Sequence, residues 1–219
     1  MNVIMVMELL KYIIILIIGA SMLIGCTSAE NNTNNYIWQD VPNRDNGNKI
    51  RFATYRIKIP SDWKVQLPLD NESIQDTTLP NATFFLSEEV IMTIHTFPSN
   101  SIKERIPVGS QIARWKKQFT TIEPLSVFSS FETRGGFAGI FFEASGTHSK
   151  YDKTMSVLAW SMQLDSRHYH TLESLNKNIQ ADYTIKTIGP KHIIEQYKEE
   201  LIMAAKTFEL IQAIPEENP

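Results

Sequence analysis

Over residues 52–59 apolar and polar positions alternate, with Tyr55, Ile57 and Ile59 on one face and Arg56 and Lys58 on the other. That period of two predicts a half-buried strand, which Pro60-Ser61-Asp62 ends. Trp63, Val65 and Leu67 resume the alternation up to Pro68, and a polar loop over 70–81 follows. Two more strands are predicted at 82–86 and 90–97, parted by Ser87-Glu88-Glu89 as in a tight hairpin. After Pro107-Val108-Gly109 the period changes. Ile112, Trp115, Phe119 and Ile122 recur at steps of three and four, with Arg114, Lys116, Lys117 and Gln118 opposite, which predicts an amphipathic helix N-capped by Ser110.

Gly135-Gly136 opens an apolar strand running from Phe137 through Phe142, and residues 154–164 supply another, with Leu158, Trp160 and Met162 on one face. Residues 167–172 are expected to pair back through Asp165-Ser166. After Gly189-Pro190 a last helix gathers Ile194, Tyr197, Leu201, Ala204, Ala205 and Phe208 on one side. The pattern predicts an α+β domain over 49–212, an antiparallel sheet of about six strands flanked by helices, with a polar tail over 213–219.

The first 26 residues differ from all of this. Lys11 precedes an almost unbroken apolar run over 12–24, softened at its end by Gly19, Ala20 and Ser21. Such a run is shorter than the roughly 18–20 residues that a bilayer-crossing helix needs, so it reads as a secretory signal. Starting translation at Met1 or at Met7 leaves its end unchanged. Residues 27–48 carry seven asparagines and few apolar side chains, too few to offset the cost of ordering the backbone, so 26–48 reads as a tether in which Tyr36, Ile37 and Trp38 could dock locally. About 20 flexible residues span on the order of 25 Å. The 194 residues left after removing 1–25 suffice for one domain. Their formal charge of −3 is too balanced for a nucleic-acid binder. Asn31, Asn71 and Asn81 begin glycosylation-type triplets, a reading that belongs to eukaryotic secretion.

Leu23-Ile24-Gly25-Cys26 resembles the lipobox of bacterial lipoproteins, and Cys26 is the only cysteine of the chain. The resemblance implies cleavage before Cys26, a diacylglyceryl group on its sulfur and anchoring to a lipid bilayer. The thiol supplies the nucleophile, and small residues before it let a peptidase close on an extended backbone. Thr27 after the cysteine resembles the pattern of lipoproteins forwarded to the outer membrane in diderm bacteria. Over 50–210 the order of elements resembles the PsbP-like fold, an α/β/α sandwich. The resemblance is carried by Ile59-Pro60-Ser61-Asp62-Trp63, Ala113-Arg114-Trp115, Gly135-Gly136-Phe137 and Ala205-Lys206-Thr207-Phe208. It implies a domain that binds or assembles.

Candidate chemistry is sparse. His168 and His170 would share a strand face, with Asp165, His148 or His95 as conceivable further metal ligands, but a zinc site needs three or four ligands in tetrahedral array and the spacing supplies no such set. Ser110 follows a glycine and precedes a helix, yet Val108-Gly109-Ser110-Gln111-Ile112 lacks the second glycine of a nucleophile turn. Glu88-Glu89 and Glu199-Glu200 are adjacent only in sequence and point apart. Gly135, Gly136 and Gly139 lead into a strand rather than a helix, so a bend or bulge explains them better than a phosphate cradle. Arg114, Lys116 and Lys117 could face anionic lipid or an acidic partner, although a solvated helix face is the default. No catalytic residue, cofactor or metal is expected. The expected function is a lipid-anchored, non-catalytic interaction or assembly module of the bacterial envelope; a ligand-binding lipoprotein is the alternative, and a hydrolase or metal enzyme ranks behind both.

Overall fold

In the computed structural model the chain divides into residues 1–34 and 35–219, and the residues described are 35–42, 53–69, 78–99, 102–168 and 181–211. The expected signal segment, Cys26, most of the expected tether, His170 and the expected polar tail lie outside them.

Eleven strands and two helices make up the described part: β1 (Tyr36–Pro42), β2 (Ala53–Pro60), β3 (Lys64–Gln66), β4 (Ala82–Phe85), β5 (Ile91–Pro98), α1 (Val108–Lys116), β6 (Phe119–Ile122), β7 (Phe128–Arg134), β8 (Phe137–His148), β9 (Lys153–Leu164), β10 (Ala181–Pro190), α2 (Lys191–Thr207) and β11 (Glu209–Leu210). The fold is α+β with antiparallel pairing throughout. The main sheet is larger than the six strands expected. It runs β3-β4-β5-β10-β9-β8, and β6 and β7 share the far edge of β8. A second sheet, β1-β2-β11, was not foreseen.

Register explains the layers. Leu158, Trp160 and Met162 of β9 stand beside Thr187, Ile185 and Tyr183 of β10 and point to one face. There they pack with Tyr55, Ile57 and Ile59 of β2 and with Ile194, Leu201, Ala204 and Phe208 around α2. Val157 and Ala159 point to the opposite face and meet Trp115 of α1 and Phe119, Phe142 and Ala144. The result is three layers: α1, the main sheet, then α2 with the small sheet. Strand β9 is covered on both faces, which is why its sequence is nearly continuously apolar where a half-exposed strand would alternate.

Four expectations are corrected. The segment 36–42, assigned to the tether, is strand β1, because Val41 is fully buried and the other face is held by Arg56 over the Trp38 ring at 4.5 Å and Lys58 over Tyr36 at 5.9 Å. Asn81, fully buried, donates from Nδ2 to the Pro42 carbonyl (3.0 Å) and accepts the Thr96 amide on Oδ1 (2.8 Å), fastening β1 to the main sheet and closing this position to glycosylation. The mid-chain helix stops at Lys116 rather than at 122. Thr120 is an extra residue in the β6–β8 ladder, where Phe119 faces His148 and Ile122 faces Gly146. That bulge puts residues three apart on one face of a strand, imitating helical spacing. Ser110 sits inside the first turn, and the N-cap is Pro107, without a side-chain cap bond. Finally, residues 166–168 are helical rather than extended; the remainder of the expected strand over 167–172 lies outside the described residues.

Gly135 and Gly136 have φ of +52° and +83° and form the two-residue turn between β7 and β8, so both are needed for left-handed backbone.

Candidate functional site

Strand β8 is twelve residues long and its outer edge is served by two short strands in tandem, β7 against Phe137–Glu143 and β6 against Gly146–His148. The ladder is interrupted at Ser145, and Ser126 fills the gap. Its Oγ accepts the Ser145 amide (2.8 Å) and donates to the carbonyls of Glu123 (2.8 Å) and Ser145 (3.1 Å), while the Glu123 amide also reaches the Ser145 carbonyl (2.9 Å). This holds the short 3-10 turn Pro124–Ser126 against the sheet and leaves Leu125 fully exposed at its crest.

Beyond the turn, β7 pairs only with β8 among the described residues. Phe128 and Phe131 are three apart on a regular strand, so they point to opposite faces, and they remain 53% and 72% exposed. Each borders an open groove. Phe131, with Val108, Ala138, Ile140 and Gln163, lines one of about 380 Å³ on the α1 side. Phe128, with Leu125, Phe141 and Ile202, lines one of about 640 Å³ on the α2 side, where Lys191–Glu123 (2.7 Å) and Lys198–Glu143 (2.6 Å) are ion pairs. Arg134 donates to the Ala205 carbonyl and pairs with Glu132, so the strand is fixed to the end of α2. Leu125, Val127, Phe128 and Phe131 thus form an apolar rim along one edge of the main sheet.

Under α1 lies a second grouping. Lys186 extends from β10 on the α1 face, half-buried, between the neutral cross-strand neighbours Thr93 and Ala159. Its Nζ donates to Gln118 Oε1 at 2.5 Å. Burial, reinforced by the nearby Arg114 guanidinium, pushes the Lys186 ammonium down to about 8. His148, buried at the end of β8, is held below the usual imidazole value by burial, then by the charges of Lys186 and Lys150. Its Nδ1 accepts the Lys150 amide (3.1 Å) and its ring meets Phe119 edge-on at 5.5 Å. Sequence patterning pointed to Arg114, Lys116 and Lys117, which are exposed as a solvated helix face would be, but missed Lys186.

The other candidates separate. His168 sits in the helical turn, His148 at the far end of β8 and His95 on β5 stacked on Phe97, and no group of three metal-ligating side chains forms among the described residues. Asp165 accepts from Arg167, which holds its carboxyl below the ordinary range. Glu88 and Glu89 are exposed. Gly139 is an ordinary strand residue whose missing Cβ admits the Ser161 carbonyl. No described helix is long and apolar enough to cross a membrane.

No family model and no curated protein matches the chain. Among solved structures it is similar to the solution structure of cyanobacterial PsbP (CyanoP) from Synechocystis sp. PCC 6803, at 9% identity over 83% of this chain and 95% of that one, with a TM-score of 0.46. It is also similar to LpqN of Mycobacterium tuberculosis, described as involved in cell envelope biogenesis, at 14% identity over 79% and 91% of the two chains and a TM-score of 0.45. A protein of unknown function, PA94 from Pseudomonas aeruginosa, follows at 10% identity over 74% and 92%, with a TM-score of 0.38. The PsbP-like fold named from the sequence is therefore among the structures the chain is similar to, and at these scores the likeness carries no functional argument.

Proposed function

We propose that this chain is a bacterial lipoprotein, anchored by lipid on Cys26, whose folded domain is a non-catalytic interaction or assembly module of the cell envelope. The observation that carries the interaction reading is the apolar rim of Leu125, Val127, Phe128 and Phe131 on a strand edge held rigid by Ser126 and Arg134. Water-exposed aromatic side chains on a pre-ordered edge release water on docking and lose little conformational freedom in doing so. The lipobox-like sequence before Cys26 supports the anchor.

The test places a photo-crosslinking residue at Phe131 in the full-length protein in its own cells, with and without Leu125→Asp and Phe128→Ser. The proposal expects a discrete crosslinked species that disappears in the substituted protein while its thermal unfolding stays unchanged. Absence of any discrete species, or one indifferent to the substitutions, contradicts it.

A further inference from the structure

Lys186 lies within electrostatic reach of Arg114, and neither has a carboxylate partner among the described residues. The Lys186 ammonium has one hydrogen-bond acceptor, the neutral amide of Gln118, and Arg114 makes no side-chain hydrogen bond or ion pair among the described residues. The groups acting electrostatically on Lys186 and on His148 are all cations: Arg114 on the first, Lys186 and Lys150 on the second. The groups facing Lys186 across the strands, Thr93 on β5 and Ala159 on β9, are uncharged. Lys116 is turned away onto the Phe142 ring, 5.5 Å from its centroid.

An ammonium drawn out of water beside a like charge is costly unless something compensates it. Elsewhere among the described residues charges drawn out of water are compensated, as at Arg105 with Asp182 and Arg134 with Glu132. Here the chain supplies only cations and a neutral amide, with the guanidinium open to solvent as a route in. We propose that Lys186, Arg114 and Gln118 form a binding site for an oxyanion of the phosphate or carboxylate class, the guanidinium gripping two oxygens and the ammonium a third. A guanidinium fork matches such oxygens in pairs, and an ammonium contributes a compact point charge. The site is separate from the apolar rim and does not depend on the interaction reading. A soluble phosphate and the phosphate of a lipid headgroup share this chemistry.

The experiment uses the full-length protein in neutral detergent, its lysines reductively ¹³C-methylated, with the Lys186 signal identified by its loss in Lys186→Met. Its titration is followed in inorganic phosphate, in micelles doped with phosphatidylglycerol, and in sodium chloride at matched ionic strength. An anion seated on the site raises the midpoint from about 8 by roughly one unit or more, saturably, and Arg114→Gln abolishes the rise. A rise in phosphate alone assigns a soluble oxyanion, and one confined to doped micelles assigns a lipid headgroup; either supports the site. No rise in either medium, or an equal rise in chloride or in Arg114→Gln, overturns it. Thermal unfolding of Lys186→Met, expected to match or exceed the parent, separates lost binding from lost folding.

Discussion

Asp182 opens β10 beside the end of β9, and the segment leading into α1 hangs on it. Its carboxylate accepts Arg105 Nε at 3.1 and 3.0 Å and Nη2 at 2.5 Å, the Leu164 amide at 3.0 Å and Gln163 Nε2 at 3.4 Å. Both charged side chains are only 8% exposed. Replacing Asp182 by Ala strands a guanidinium away from water, a change that ordinarily costs about 3–5 kcal/mol. Arg105 keeps the Leu164 carbonyl at 2.5 Å, so the expected loss is at the lower end, about 3 kcal/mol. For a domain of this size that lowers the midpoint of thermal unfolding by roughly 6–12 °C. Removing both charges together, as Arg105→Leu with Asp182→Ala, abolishes the stranded cation and recovers most of the loss, so a double-substitution cycle read by calorimetry gives a coupling of a few kcal/mol. A drop smaller than about 1 kcal/mol for Asp182→Ala, or a double variant that merely sums the two single losses, refutes the view that this pair fastens α1 to the sheet.

Three further outcomes follow from the same geometry. Because folded Lys186 releases its proton near pH 8 and unfolded lysine near 10.5, the unfolded chain holds the extra proton between those values; stability therefore rises with pH across that window, by at most about 3 kcal/mol, and Lys186→Met flattens the rise in denaturant titrations compared at pH 7.5 and 10.5. A Cβ on Gly139 would lie 2.0 Å from the Ser161 carbonyl oxygen and 2.8 Å from the Met162 Cα, both backbone, so Gly139→Ala costs about 3 kcal/mol by chemical denaturation; an unchanged midpoint would show that β8 and β9 can separate freely. Leu125→Asp at the fully exposed crest shifts stability by no more than about 0.5 kcal/mol, and a larger loss measured by the same method would mean that Leu125 is part of the core rather than of a docking rim.

How much of this could be read from the residues depends on what each element faces. Strands β2, β4, β5 and β9 and helix α2 carry their burial in plain period, and all were anticipated. Strand β10 lies at the centre of the main sheet and was not, although Tyr183, Ile185 and Thr187 alternate as a strand should. Its other face holds Thr184 and Lys186, polar residues that suit the cationic grouping beneath a short helix, and they dilute the apolar signal of a central strand. Strand β7 was invisible because its aromatic residues point to opposite faces and stay in solvent, where no burial imposes a period. The bulge at Thr120 disguised β6 as helix. The Lys186 grouping arises from residues brought together by the fold, Lys186 with Gln118 across 68 positions of chain, a separation at which local pattern says nothing. The proposed lipid anchor stands at the other extreme, since its signal, an apolar leader closed by Leu23-Ile24-Gly25-Cys26, is contiguous in the sequence.

That anchor is the most direct test of the account. The intact mass of the protein from the membrane fraction is measured beside Cys26→Ala. A fragment beginning at Cys26 and heavier by a diacylglyceryl group, absent from the alanine variant, is the predicted result. An unmodified Cys26 in protein that still fractionates with membranes, or a mature chain starting elsewhere, contradicts it.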